Sequence, residues 1–281
     1  MQPKERIVIR ALRAAFRIWP FMHGRGWILR AARLLLGSNP IRFDIGRGAF
    51  IDGTLDDWMI LWTFMCRHEA DAPFQRSLDL VQRDAVVLDV GANFGVWSLL
   101  ASKRGANVHA FEPVPAMVSR LRDHIALNDA NSIAVHTIAL GENEGTAPFF
   151  AVTSRNTGAS ALVRRAEDDV ELRVDVITLD HWIERENIDR VDLMKVDVEG
   201  AEILVFRGAR RFLSSANAPI VFFEINEKLC ASFGATTRDV KQLLVECGYG
   251  IYRWRRSKFE SVSLEERHEH EDLFALKGRP S

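Results

Sequence analysis

Between residues 84 and 254, short apolar runs alternate with amphipathic stretches. Runs with β-branched character at 85–90, 107–111, 133–138, 191–197, 219–225 and 249–254 have strand length, whereas 95–104, 114–128, 202–213 and 236–247 carry helical spacing. Strands that alternate with helices pair in parallel through right-handed crossovers, so the rhythm predicts a doubly wound α/β sheet. A short terminal strand after the acidic, histidine-containing stretch 265–272 brings the expected sheet to the seven-strand type. Between 139 and 178 the rhythm is broken by Gly141, Gly145, Asn156 and Gly158, with shorter strands at 146–152 and 170–177. An insertion at that point sits over the crevice at the strand ends, where substrate loops collect. Upstream, Gly46 and Gly48 mark a short hairpin within 41–52, and helical periodicity runs from about Leu55 to Val81. Thr236 or Thr237 and Gly248 supply start and stop signals for the last helix.

The N-terminal pattern is of a different kind. Arg6, Arg10, Arg13 and Arg17 stack on one face of a helix, with Val8, Leu12, Ala15 and Trp19 opposite, and Trp27 to Leu36 continues the theme with Arg30 and Arg33. Two readings follow: a helix whose apolar face packs on its own domain or a second copy, or a segment across 4–36 lying in the plane of an anionic membrane. Net charge sharpens the contrast, because residues 1–43 carry +8 and the remainder −9. The chain therefore divides into a basic helical extension, 1–49, and a domain at 50–281.

Composition adds exclusions. With 47% hydrophobic and 27% charged residues, the 281-residue chain is neither disordered nor fibrous. A net charge of −1 argues against wholesale nucleic-acid binding, which needs excess Lys and Arg. Cys66, Cys230 and Cys247 form no C-x-x-C pair, so neither a disulfide framework nor a zinc knuckle is indicated. Arginines interrupt every apolar run that could become a membrane span or signal peptide, and the expected location is cytoplasmic, with peripheral contact at the inner face of the membrane only under the in-plane reading of 4–36.

The candidate chemistry begins at Val86-Val87-Leu88-Asp89-Val90, a buried strand that runs into Gly91-Ala92-Asn93-Phe94-Gly95 and then a helix. Strand, glycine turn and helix let backbone N–H groups approach a ligand. The next strand ends in Phe111-Glu112-Pro113, which places a carboxylate where a ribose diol is held. The dinucleotide fingerprint requires glycine where Asn93 stands, and no Walker lysine follows, so S-adenosylmethionine fits better than a pyrophosphate-bearing ligand.

In LDVGANFG (88–95), FEP (111–113), VITLD (176–180), KVDVEGAE (195–202) with Gly208-Ala209, and FFEIN (222–226), the sequence resembles the FkbM family of methyltransferases. The resemblance implies a Rossmann-like methyltransferase fold, with S-adenosylmethionine as cofactor and Asp89, Gly91, Asn93, Gly95 and Glu112 around it. It also implies O-methylation of a hydroxyl on a small molecule or glycan, with a sugar of a glycan, glycolipid or glycosylated natural product favoured by family habit. Methylation of nucleic acid or protein, and a nucleoside-binding module without turnover, stand as alternatives.

Asp197, at the carboxyl end of its strand beside the expected methyl site, is the candidate base or orienting group, with Glu199 next in line. Glu202 reads equally as a favourable first-turn charge of the following helix. A metal version would use Asp197, Glu224 and Asn226, oxygen ligands at the ends of two neighbouring strands, as Mg²⁺ prefers; the favoured reading needs no metal. His268 and His270, amid acidic residues, read as a solvated loop.

Overall fold

A computed structural model of the chain describes residues 34, 40–66, 71–151 and 170–278. The arginine stripe, almost all of the 4–36 segment, Asn156 and Gly158 lie outside the described residues.

The central sheet is built from β3 (Val86–Val90), β4 (Asn107–Phe111), β5 (Ile133–His136), β9 (Leu193–Val196), β10 (Ile220–Ile225), β11 (Gly250–Arg255), β12 (Lys258–Ser261) and β13 (Glu271–Leu276). Its order is β12-β11-β13-β10-β9-β3-β4-β5. The five strands from β10 to β5 are parallel, as the alternating rhythm requires. The other three join antiparallel, and β12 makes eight strands where seven were expected. The eighth arises from a hairpin turned by Arg256 and Ser257, both at positive φ (50° and 58°) without glycine, so no turn signal marks it in the sequence.

Side chains of the parallel strands are buried on both faces, which is why they read as continuous apolar runs. On one face Val87, Val108 and Leu193 pack with Trp97, Leu99 and Leu100; on the other Leu88, Val90, Met194 and Val196 pack with Trp182, Phe206 and Val221. The N-terminal hairpin β1 (Ile41–Gly46) and β2 (Ala49–Gly53) belongs to the first of these clusters through Phe43, Ile45, Ala49 and Ile51. Asn128 bonds both backbone groups of Phe50, and His124 Nδ1 lies 2.8 Å from the Phe94 carbonyl while its Nε2 faces the Asp52 amide at 3.2 Å. A boundary at 49/50 therefore cuts a single hairpin that packs into the core of the larger domain.

The expected helix 55–81 is instead two helices, α1 (Trp58–Cys66) and α2 (Ala72–Asp79), the second capped by the Asp71 side chain and opened by Pro73. The stretch 202–213 is likewise divided into Glu202–Arg207 and Arg210–Ser214 at Gly208, where a Cβ would lie 1.9 Å from the Gly141 carbonyl oxygen. Helix Thr237–Glu246 starts at Thr236 with a capping box to Asp239. The insertion between β5 and β9 forms a small sheet, β6 (Ala139–Leu140), β8 (Val170–Ile177) and β7 (Gly145–Ala151), in that order. Phe149 and Val174 of this sheet pack on Val114, Met117 and Ala139, which brings the insertion beside the carboxyl ends of the parallel strands.

Candidate active site

At those strand ends lies a cleft lined by Val90, Gly91, Asn93, Phe111 to Pro113, Met117, Ile138 to Leu140, Phe149, Asp197 to Glu199 and Ala201. The sequence placed Gly91, Asn93, Glu112, Asp197 and Glu199 here. The apolar wall of Met117, Ile138, Leu140 and Phe149 has no signature in the sequence, since single apolar residues in a helix, a loop and an insertion carry no joint signal.

The glycine turn is held by protein contacts. Gly91 and Ala92 both donate to the Phe111 carbonyl, at 3.1 and 3.0 Å, which ties the turn after β3 to the end of β4. Gly91 has φ +80°, and a Cβ there would sit 1.9 Å from the Asp197 carbonyl oxygen, so the glycine lets the two strand ends approach. Gly95, expected beside the ligand, is buried instead: a Cβ on it would lie 2.3 Å from Leu121, and its role is to seat one helix on another.

Glu112 is 6% exposed and opens onto the cleft. Its Oε2 accepts from the Asn93 amide and its Oε1 from the Val114 amide, both at 2.9 Å. Burial pushes its carboxyl up to about 7; the two amides and Lys195 pull the other way, and Asp89 adds to the rise.

Asp89, expected beside the cofactor, is fully buried; its carboxylate is taken up by Ser98 Oγ at 2.6 Å and Lys195 Nζ at 3.1 Å, and it does not line the cleft. The β3–β9 register places Asp89 opposite Lys195. Lys195 then reaches 3.3 Å to Asp197, linking buried Asp89 to the carboxylate at the cleft. Burial works to lower the Lys195 pKa, yet Asp89 and Asp197 together hold it above its ordinary value.

Asp197 follows β9, and the pairing of Val196 with Phe223 puts it next to Glu224 on β10. Burial works to raise its pKa, but Lys195 and a hydrogen bond with Glu224 hold the carboxyl below the usual range. Glu224 faces Asp272 across the antiparallel β10–β13 pair, and His270 Nδ1 lies 2.8 Å from Glu224 Oε1. Burial pushes Glu224 up to about 8, opposed by His270 and reinforced by Asp197 and Glu199. Asp272 is raised well above the ordinary range by burial and by Asp71, Glu224 and Asp197.

The turn after Asp197 is strained, with Glu199 at φ +57° and Gly200 at +101°. Glu202 holds it: Oε1 accepts from the amides of Val198 (3.1 Å) and Gly200 (3.2 Å), a more specific task than a favourable first-turn charge. Asn226 does not join the carboxylates. Its Oδ1 accepts from the Lys228 and Leu229 amides and caps the helix Glu227–Ala231, so the three-ligand metal version loses its third member.

The two late histidines are not a solvated pair. His268 is 4% exposed, and its Nδ1 contacts Glu271 Oε2 at 2.7 Å. Glu266, His268 and Glu271 are, among the described residues, the one set of acidic, histidine or cysteine side chains whose donor atoms converge within 4.8 Å. Cations of the protein already occupy it: Arg253 pairs with both glutamates, and Lys241 Nζ lies 3.2 Å from His268 Nε2.

Residues 89–251, more than half of the chain, match the methyltransferase FkbM domain. Methyltransferase 1 of Beauveria bassiana is 29% identical over 145 residues, which cover 44% of this chain and 58% of that protein. The hexuronic acid methyltransferase AglP of Haloferax volcanii is 29% identical over 169 residues, 60% of this chain and 65% of the relative. The 2-O-methyltransferase NoeI of Sinorhizobium fredii is 24% identical over 151 residues, 48% and 61% respectively. The match thus spans about three fifths of the length of these relatives. With the glycine turn, Glu112 and the turn after Asp197 all inside the matched segment, the chain belongs to the FkbM methyltransferase family.

Proposed function

We propose that the protein is an S-adenosylmethionine-dependent O-methyltransferase whose acceptor is a sugar hydroxyl. The observation that carries the reading is Glu112, a nearly buried carboxylate fixed by two backbone amides at the tip of β4 and open to the cleft. Each oxygen keeps a second lone pair, and a ribose diol offers two O–H donors to match. The remaining residues fit the same ligand. Phe111, Met117, Ile138, Leu140 and Phe149 offer apolar walls to a purine, and Asp197 and Glu199 offer negative charge to a cationic amino-acid portion.

When bound, S-adenosylmethionine supplies an electrophilic methyl group on a sulfonium. The protein's part is to hold the acceptor oxygen in line with that carbon and to exclude water. Asp197, kept ionised by Lys195, orients the reacting groups, and Glu202 fixes the turn on which Asp197 and Glu199 stand. The names of the Haloferax and Sinorhizobium relatives, a hexuronic acid methyltransferase and a 2-O-methyltransferase, favour a carbohydrate hydroxyl as acceptor. A membrane contact through the basic extension would favour a glycolipid acceptor.

Calorimetry with S-adenosylhomocysteine tests the cofactor assignment. Glu112→Gln should weaken binding by about 1.5–3 kcal/mol, the worth of hydrogen bonds to a charged group. Because Glu112 titrates near 7 in the free protein, wild-type affinity should fall as pH drops below about 7, where protonation removes an acceptor; Glu112→Gln should show no such fall. Unchanged affinity in the variant removes Glu112 from the site. Radiolabelled methyl transfer to methyl glycosides, RNA and protein then tests the acceptor, and label in RNA or protein alone replaces the sugar reading.

A further inference from the structure

We propose that His270, held at Nδ1 by Glu224, is the general base that takes the proton from the acceptor hydroxyl. The inference rests on the O-methyltransferase reading above and assigns the one step that reading leaves without a residue.

His270 is linked to the cleft through Glu224 and Asp197. Its ring contacts Glu224 Oε1 at 2.8 Å while 65% of its side chain stays exposed, against 15% for Glu224. A carboxylate at Nδ1 favours the Nδ1–H tautomer and leaves Nε2 as the nitrogen that accepts a proton, the arrangement a positioned imidazole base requires. Glu224 is hydrogen-bonded in turn to Asp197, a residue of the cleft. The loop that presents His270 is fixed on both sides. The Glu227 amide donates to the His268 carbonyl at 3.1 Å, and Lys241 Nζ donates to the carbonyls of Ser263 (2.7 Å) and Glu266 (2.5 Å). His268 and Glu271 flank His270 in a contact of their own that buries His268, so of the loop's two histidines it is His270 that is exposed.

Asp197 is the weaker candidate for the base. Lys195 at 3.3 Å and the Glu224 hydrogen bond stabilise its ionised form, which lowers its affinity for a proton. The groups that face His270 are Glu224 on β10, Asp197 after β9, Asp71 at the start of α2 and Asp272 on β13. All are acidic. The hydrogen bond to Glu224 is the largest influence on His270 and raises it to about 9, and Glu224 itself titrates near 8. The coupled pair gives up its protons in that window, so its base form grows as pH rises through it.

In the step itself, the acceptor oxygen forms a bond to the methyl carbon and the carbon–sulfur bond breaks, with its electron pair passing to sulfur. The hydroxyl proton passes to His270 Nε2. The positive charge lost at the sulfonium is the charge gained by the imidazole, which then releases the proton to water.

The test uses the full chain with S-adenosylmethionine and a panel of methyl glycosides that includes a methyl glucuronide, from pH 6 to 10. Wild-type transfer should rise with pH through 8 to 9. His270→Gln should transfer at least about 100-fold more slowly and lose that rise, with S-adenosylhomocysteine binding within about twofold of wild type. A His270→Gln protein that keeps the wild-type rate and pH profile overturns the base assignment and leaves the sugar reading intact. Failure of the wild type to methylate any glycoside counts against the sugar reading, and the base is then decided by NMR titration of the His270 ring. A Nδ1–H tautomer whose raised titration falls toward the ordinary value of about 6.5 in Glu224→Gln supports the assignment; a ring that already titrates there in the wild type overturns it.

Discussion

Lys195 lies on the central strand β9 with its ammonium 3.1 Å from Asp89 and 3.3 Å from Asp197, and its side chain is 8% exposed. Three charges so placed stand or fall together. Without the ammonium, Asp89 would be a fully buried carboxylate with only the Ser98 hydroxyl beside it, because Ser98 Oγ and Lys195 Nζ are the partners of its two oxygens. Lys195→Met should therefore cost about 3–5 kcal/mol, the usual penalty for breaking a buried pair from one side. The double variant Lys195→Met with Asp89→Asn should recover part of that loss, since the orphaned charge is gone. Urea denaturation of the three proteins measures both, and a Lys195→Met loss below about 1 kcal/mol would show that water relieves Asp89. In the sequence Asp89 reads as a ligand residue by its place in the glycine motif. Its true partner is 106 positions away, found only once β3 and β9 are in register.

At the scale of elements, the β11–β12 hairpin is the clearest case of structure that local chemistry opposes. Its turn holds Arg256 at φ 50° and Ser257 at 58°, a conformation that favours Asn-Gly, and it persists because Trp254 and Phe259 pack on each other and on Arg76. Replacing Arg256-Ser257 by Asn-Gly should stabilise the protein by about 1 kcal/mol through relief of left-handed strain. Thermal melting checks it, and no rise in midpoint would mean that the two side chains repay their strain elsewhere. The opposite holds for the helix Thr237–Glu246, whose capping box and closing Gly248 are written in adjacent residues and so were legible from the start. The break at Gly208 was not legible, because what forbids a side chain there is the Gly141 carbonyl from the insertion.

For the molecule as a whole, the largest asymmetry is electrostatic: +8 in residues 1–43 against −9 in the rest. No helix among the described residues is long and apolar enough to cross a membrane. Each arginine near an anionic bilayer contributes about 1 kcal/mol, and the effect fades as salt screens it. The full chain should co-sediment with phosphatidylserine-containing vesicles at low salt, release as salt rises and ignore neutral vesicles. Changing Arg6, Arg10, Arg13 and Arg17 together to Gln should abolish the association. Equal sedimentation of both proteins would leave the stripe as a packing or dimerisation face.

What the sequence determined by itself was whatever contiguous residues encode: the strand–glycine-turn–helix unit at 86–102, the carboxylate closing the second strand, the parallel heart of the sheet, and membership of the family. Periodicity and turn chemistry act over a few residues, and a linear reading captures them. The tertiary structure alone decided which charged groups meet. Asp71, Asp197, Glu224, His270 and Asp272 span some 200 positions, and they converge because β13 inserts antiparallel beside β10 and sets Asp272 opposite Glu224. Strand order and register are global properties of the packed core. The same two facts set Asp89 against Lys195 and His270 against Glu224.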